Sequence, residues 1–277
     1  MIKILALIFI LLSFTGCSGK SDKKQAEYLM EVTVLKTGKS DCTVIESQNK
    51  TILIDTANRD SARKITRYLK DKNIDTIDLL IISHFDKDHI GGFETIAERM
   101  NIKTVIQPDY KSDTKTYENY VNALSKKPYN IINPKSDSVF NINDMEFKIY
   151  VPDTEYEKEN NRSLITAITH GENSFLFMGD IVSERTSEIM QNNLKHYDYL
   201  KVPHHGIYFE GANELYETIS PQFAVITDNE EINTKKTDSI LNKLGTNVFH
   251  TKNGAVKIIS NGTELKNLSN WEVLLYV

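Results

Sequence analysis

The chain is poor in the residues that staple, break or loosen a fold: its 277 residues include 2 Cys, 6 Pro, 12 Gly and 1 Trp. Two cysteines cannot build a disulfide scaffold, so stability has to come from a buried apolar core. No stretch is rich in glycine or proline, which excludes a collagen-like chain and leaves no internal linker between separate units. There is no repeat. An excess of basic charge is also missing. Lys and Arg number 33 against 38 Asp and Glu, a net charge of −5. A protein that coats nucleic acid needs clustered cations to displace counterions, so that class is disfavoured. An enzyme that meets phosphate through metal ions is not. Beyond the first dozen residues, no apolar run approaches the roughly 18 residues of a membrane-spanning helix. With 40% apolar and 26% charged residues, the remainder is a globular chain long enough to bury a full core.

The one apolar run stands at the start. Lys3 precedes residues 4–12, all apolar, and Ser13-Phe14-Thr15-Gly16-Cys17 follows. A positive start, a short apolar run and small residues before a break read as a secretory signal. Nine helical residues rise only about 14 Å, against a hydrocarbon core of about 30 Å. The Thr-Gly-Cys ending resembles a bacterial lipobox, with Phe14 where Leu is usual. That resemblance implies a cleaved lipoprotein signal peptide at 1–16 and lipid on Cys17. A polar tether at 17–27 and a working domain at 28–277 follow, held on the extracytoplasmic face of a bacterial cell membrane. Cys42 is then the only free thiol, and its alternating surroundings mark it as a core residue.

Along the body, residues 29–35, 42–46 and 51–55 alternate like strands, the last two joined as a hairpin at Gln48-Asn49-Lys50. Ile65, Tyr68 and Leu69 give 61–71 helical spacing, and the apolar run at 76–83 reads as a buried strand. Helix 92–100, strand 104–107 and helix 116–126 follow. The second half reads as strands 146–151, 164–169 and 174–178, helix 183–194, strand 199–202, helix 213–219, strand 223–227 and helix 235–244. Short strands near Val248, at 256–259 and at 273–277 complete it. Strands and helices interleave throughout, which predicts one α/β domain with two β/α halves. A hairpin turning at Gly171-Glu172 makes opposed residue numbers sum to about 343. Ser163 then lies beside Asp180, and His170 sits at the turn, roughly 26 Å of strand away, as an exposed residue. His196 and His250 stand in no motif and read as surface or packing residues.

Chemistry concentrates in Ser83-His84-Phe85-Asp86-Lys87-Asp88-His89-Ile90-Gly91-Gly92. His84, Asp86, Asp88 and His89 fall within six residues at the carboxyl end of a strand, where ligand sites of layered α/β proteins lie. Imidazole and carboxylate together suit zinc, iron or manganese, and the glycine pair lets the backbone turn closely beneath them. Asp180 ends a strand behind Gly179 and can bridge two ions, with Asn161 and Ser163 near it by register. His204 and His205 are adjacent, so their side chains diverge: one ligates, and the other orients substrate or donates a proton.

These residues resemble the metallo-β-lactamase superfamily, whose signature here is His-x-His-x-Asp-His, with Asp86 in place of the second His. The variant followed by Ile-Gly-Gly is similar to the hydrolase domain of ComEC-type competence proteins and to a phosphorylcholine esterase branch. Gly38-Lys39-Ser40-Asp41 resembles the family's Gly-Gln-Gly-Asp turn, and Leu53-Ile54-Asp55-Thr56 its Asp-ended strand. The stretches 161–164, 175–180 and 200–206 resemble its later motifs. The resemblance implies an αββα four-layer sandwich in a single domain and a hydrolase holding two divalent metal ions, zinc by family default with manganese as the rival. It assigns His84, Asp86 and Asp180 to one ion. Asp88, His89, Asp180 and His204 or His205 go to the other, with Asp88 and His205 as catalytic groups. Asp41 and Asp55 become supports. The family has a further His where this chain has Asn161 and Ser163, so Asn161 or water completes the first ion. The implied reaction is hydrolysis of a phosphoester by water that the ions activate. The substrate is nucleic acid outside the cell, which the charge disfavours, or a phosphoryl-substituted wall polymer. Tyr110, Tyr117, Tyr120, Tyr208 and Phe209 either form an aromatic lip or pack. No protein partner is legible. A lipid-anchored binding protein that has lost catalysis is the second class.

Overall fold

Strands of period two dominate the amino-terminal end. β1 (Met30–Val34), β2 (Thr43–Ser47) and β3 (Lys50–Ile54) form an antiparallel meander. The β2–β3 turn holds Gln48 and Asn49 at φ 47° and 63°, the two left-handed residues that let a tight hairpin follow the strand twist. α1 (Ala62–Asp71) then carries the chain back, so that β4 (Thr76–Ile81) pairs parallel with β3. α2 (Lys87–Ile90), α3 (Phe93–Arg99), β5 (Asn101–Ile106), α4 (Lys115–Leu124) and β6 (Asn130–Ile132) follow. The second half opens on the meander β7 (Ser138–Ile142), β8 (Met145–Tyr150), β9 (Ile165–His170) and β10 (Asn173–Phe177). It continues through α5 (Ser183–Gln191), β11 (Tyr199–Lys201), α6 (Ala212–Ile219), β12 (Phe223–Ile226), α7 (Lys235–Lys243) and β13 (Asn247–His250). β14 (Val256–Ser260) and β15 (Leu265–Asn267) return to pair beside β1. This computed structural model describes residues 29–192 and 194–269. The signal, Cys17, the tether and the strand expected at 273–277 lie outside them.

The strands make two sheets, ordered β15-β14-β1-β2-β3-β4-β5-β6 and β13-β12-β11-β10-β9-β8-β7. Alternate residues decide which face is covered by what. Ile52, Ile54, Leu79 and Ile81 point between the sheets and meet Phe147, Ile149, Phe175 and Phe177. Their neighbours Leu53, Leu80 and Ile82 point outward to Ile65 and Leu69 of α1 and Phe93 and Ile96 of α3. On the other side Leu176, Leu200 and Ala224 pack against Ile189, Leu215 and Leu241 of α5, α6 and α7. Central strands are therefore apolar on both faces, as buried parallel strands must be. The result is the helix–sheet–sheet–helix sandwich that the family resemblance implies. Loops leaving the carboxyl ends of β3, β4, β10, β11 and β12 meet at one rim.

Three strands escape the sequence reading. β6 is three residues long and exposed throughout, and β7 is only half-buried, so neither shows an apolar face. β15 is short as well. His170 corrects an expectation. It ends β9 but is 2% exposed, with Nδ1 2.7 Å from Ser260 Oγ and Nε2 3.2 Å from Asp144 Oδ2. The β14–β15 turn lies over this hairpin, and Gly262 O accepts from Glu172 N at 2.6 Å. A turn that would end a free hairpin in solvent is roofed by a segment ninety residues further on. His196 is exposed as expected.

His250 has a defined role. Its Nδ1 lies 2.8 Å from Asp228 Oδ2 and its Nε2 3.1 Å from Asp238 Oδ1, with Lys252 also on Asp228. The hydrogen bond to Asp228 raises its pKa above 6.5. A raised folded pKa means stability that is complete below the unfolded value and is lost as pH climbs through the folded one. His250→Gln should therefore cost on the order of 1 kcal/mol at pH 6, solvent screening included, and less at pH 9. Urea titrations at the two pH values measure this. Equal losses at both would mean that the charge on His250 contributes nothing.

Candidate metal centre

Each side chain of the site stands just past the end of a strand. Asp55 follows β3, residues 83–89 follow β4, Asp180 follows β10, and His204 and His205 follow β11. The ladder no longer constrains the backbone there, and Asp55, His204 and His205 adopt φ of 61°, 49° and 53°. A left-handed conformation costs a non-glycine residue about 1–2 kcal/mol, so tertiary contacts must hold it. Asp55 N donates to Ile81 O at 2.8 Å, and its carboxylate accepts from Ser83 N at 2.8 Å and Ser83 Oγ at 2.7 Å. Gly179, at φ 56°, leaves no room for a side chain. A Cβ there would stand 2.9 Å from Ser163 Oγ and 3.1 Å from Ser83 Cβ.

Three imidazoles are anchored through the same nitrogen. His89 Nδ1 lies 2.8 Å from Asp55 Oδ2. His84 Nδ1 lies 3.0 Å from Ser83 Oγ, whose own proton goes to Asp55. His205 Nδ1 lies 3.0 Å from the carbonyl of Thr227. Each partner accepts, so the neutral ring carries its proton on Nδ1 and keeps a lone pair on Nε2. All three Nε2 atoms are buried without a hydrogen-bond partner, and so is Asp180 Oδ1.

Two of these rings converge on the other oxygen of Asp180. His205 Nε2 is 3.2 Å from Asp180 Oδ2 and 3.4 Å from Asp88 Oδ2, and His89 Nε2 is 3.4 Å from Asp180 Oδ2. One ligand atom from each of Asp88, His89, Asp180 and His205 lies within 4.8 Å of the others. Orphaned lone pairs facing one another in a buried space are costly unless a cation meets them. Two imidazoles and two carboxylates fit a divalent metal. His84 and Asp86 flank this set. The His84 ring is 4.0 Å from that of His89, and its Nε2 is 3.6 Å from Asp86 Oδ2.

Burial alone would push the carboxyls up and the imidazoles down. The cluster reverses both. Against burial, His205 and His89 hold the Asp180 carboxyl well below its usual range, and Asp88 is lowered by the same two rings. Against burial, the Asp180 carboxylate and its neighbours push His205 up to about 9. His89 is likewise raised by Asp180 and Asp55. His204 behaves in the opposite way, since burial dominates and lowers it.

That contrast divides the His pair. His205 is fully buried and turned into the cluster. His204 lines the open cavity above it, with Asp86, Asp88 and Asp180, and its Nδ1 has no partner. The register expected for the β9–β10 hairpin holds, with Phe177 opposite Thr166. Ser163 Oγ accordingly accepts from Asp180 N at 3.4 Å. Asn161 departs from the expectation of a ligand. Its Oδ1 accepts from Val182 N at 2.9 Å and its Nδ2 donates to Glu184, so the amide fastens the entrance to α5. Tyr110 and Tyr117 pack on Phe85, each with ring centroids 4.7 Å away, and Tyr120 is 2% exposed. They form a floor rather than a lip, and Tyr110 Oη accepts from Phe85 N at 3.1 Å.

Sequence reasoning misses Lys201 and Thr227. Lys201 is 3% exposed, and its Nζ donates to the Asp41 carboxylate and, at 3.1 Å, to Val202 O. Thr227 Oγ1 donates to Asp41 Oδ1, which lies 3.5 Å from His205 Nδ1. Asp41 belongs to the first half and the other three to the second, so this buried network joins the two halves behind the centre. A lysine inside an apolar strand is a legible signal; a threonine after one is not.

A family model described as the metallo-beta-lactamase superfamily matches residues 35–208. The chain is 30% identical over 164 residues to ComE operon protein 3 of Bacillus subtilis (strain 168), covering 58% of this chain and 21% of that protein. It is 27% identical over 224 residues to Recombination protein 2 of Haemophilus influenzae, covering 79% and 26%. It thus spans about a quarter, or less, of the length of these ComEC-like relatives. The metallo-beta-lactamase fold protein YhfI from Bacillus subtilis matches with a TM-score of 0.58 at 14% identity, over 83% of this chain and 99% of that one. CmlA, a diiron beta-hydroxylase from Streptomyces venezuelae, matches with 0.56 at 13%, over 86% and 54%. Such identities speak for the fold alone. With a family match that runs from the Asp41 turn through His204 and His205, the chain belongs to the metallo-beta-lactamase superfamily.

Proposed function

We propose that this chain is a metal-dependent phosphoesterase, tethered by lipid on Cys17 to the extracytoplasmic face of a bacterial membrane. The observation that carries the reading is that one ligand atom from each of Asp88, His89, Asp180 and His205 lies within 4.8 Å of the others, with the Nε2 atoms of both rings buried and not hydrogen-bonded. Asp88, His89, Asp180 and His205 would hold one divalent ion, and His84 and Asp86 beside them would, with Asp180, hold a second; zinc suits this donor set. Bound ions supply Lewis acidity toward water and toward phosphoryl oxygens. The chain's own residues do the rest. Asp88, partly open to the cavity, would orient the attacking water by accepting its hydrogen bond. His204, on the cavity wall, faces the substrate and would orient it by a hydrogen bond to the leaving oxygen. Asp55, Ser83 and Thr227 keep the ligating rings from rotating. A phosphoester is favoured by the ComEC-like relatives and by Lys39 and Lys87 on the wall of the same cavity. Among the described residues no helix is long and apolar enough to cross a membrane; attachment through lipid rests on the Thr-Gly-Cys ending at Cys17.

Purified full-length protein should contain divalent metal by plasma emission and hydrolyse bis-p-nitrophenyl phosphate, and chelation should abolish the hydrolysis. Asp180→Asn should lower turnover by about 100-fold or more, the scale on which essential electrostatic groups act. Retained turnover in the double variant Asp88→Ala, Asp180→Ala would falsify the enzyme reading.

Lys201→Met tests the support behind the centre. Leaving the Asp41 carboxylate buried without its lysine costs roughly 3–5 kcal/mol, and loosening His205 should weaken metal affinity by about 10–100-fold. Thermal unfolding with and without added zinc reads both. Unchanged affinity would reduce Lys201 to a purely structural pair.

A further inference from the structure

The cavity over the centre, about 440 Å³, does not end there. It continues into a second cavity of about 510 Å³, and the two share Lys39, Lys87, Asp88 and Thr116 as walls. The outer cavity adds Arg59. A substrate that filled only the inner space would leave this extension unused.

The lining of the extension has a definite sign. Lys39, Arg59 and Lys87 are exposed, and none has an ion-pair partner among the described residues. Of the acids on the same walls, Asp88 belongs to the metal cluster and Glu94 lies 3.1 Å from Lys126. Asp60 alone remains to offset three cations. Thr116 and Asn119 add neutral hydrogen-bond donors. An onium group would need open aromatic faces, and the one aromatic residue on this wall, Tyr120, is buried. The lining therefore selects an anion and offers nothing to a choline-like cation. Lys39 and Lys87 are also this chain's own choices. Lys39 stands where the resembled turn has Gln, and Lys87 fills an unspecified position of the His-x-Asp-x-Asp-His run.

We infer that the outer cavity is an anion subsite for a second phosphate of the substrate. The scissile phosphoester lies over Asp88 and Asp180, and the next phosphate along lies among Lys39, Arg59 and Lys87. The substrate class is then a compound with at least two phosphates in series rather than a lone diester. This inference rests on the phosphoesterase reading.

Metal-loaded full-length protein can be given two chromogenic esters that differ by one group: thymidine 5′-(p-nitrophenyl phosphate), and the same ester bearing a 3′-phosphate. Both release p-nitrophenolate. The wild type should favour the second by about tenfold in kcat/KM at low salt, the gain expected of a charge-assisted contact. The preference should shrink severalfold at 0.5 M salt, because exposed cations are screened. Lys39→Gln and Arg59→Gln should each reduce the ratio severalfold; the Arg59 side chain is exposed and is not among the ligands, so its variant should fold. Calorimetry with thymidine 3′,5′-bisphosphate against thymidine 5′-phosphate should give the same order without turnover. Hydrolysis of both esters at equal kcat/KM, or a ratio untouched by both variants, overturns the subsite. No hydrolysis of either ester overturns the phosphoesterase reading instead.

Discussion

An imidazole keeps its Nε2 lone pair free for a metal only while something beside Nδ1 accepts a proton. The rest of this site follows from that requirement. Asp55 meets it for His89 directly and for His84 through Ser83, and the Thr227 carbonyl meets it for His205. One carboxylate at the end of β3 thus sets two rings on the loop after β4, and the parallel pairing of those strands makes the reach possible. Parallel pairing puts strand ends, and hence the loops that leave them, side by side. In both halves of the sandwich the chemistry occupies that position.

Holding the two halves together around such a centre is an electrostatic problem. Asp41, Asp55, His84, His89, Asp180, Lys201 and His205 lie within or directly behind it, all buried. Buried charge survives only when compensated, and here each carboxylate has a cation or donor facing it. Lys201 is the unexpected member. It reaches from an inner strand of the second sheet to Asp41 in a loop of the first, so the ion pair fastens the halves and steadies the network behind His205. The left-handed backbone at His204 and His205 sends one ring into the cluster and the other to the cavity wall. A metal ligand and a substrate-facing group thus come from consecutive residues.

Much of this was legible in the sequence. Apolar alternation marked most strands, because a strand buried on one or both faces has no other way to satisfy its environment. The hairpin arithmetic placed Ser163 beside Asp180, because antiparallel register is fixed once the turn is known. Where the local pattern misleads, the cause is a contact from far along the chain. His170 sits at a hairpin end that is roofed by the β14–β15 turn. The side chain of Asn161 is claimed by the start of α5. Tyr110, Tyr117 and Tyr120 are drawn beneath Phe85, which no local pattern announces. β6 and β7 lie at sheet edges where side chains stay half-exposed, so their sequences carry no amphipathic signal.

Residue types and spacings by themselves determined that His84, Asp86, Asp88 and His89 would share one strand-end loop, that Asp180 would close another, and that a layered α/β core would carry both. These are short-range facts of periodicity and chain stiffness. Only the tertiary structure decided which nitrogen of each histidine faces inward, that His205 rather than His204 joins the cluster, and that Lys201 stands behind it. Those outcomes depend on partners up to 186 residues apart in sequence. Pairings at that separation are selected by the packing of two sheets against each other, and the pattern around any one of the residues holds no record of them.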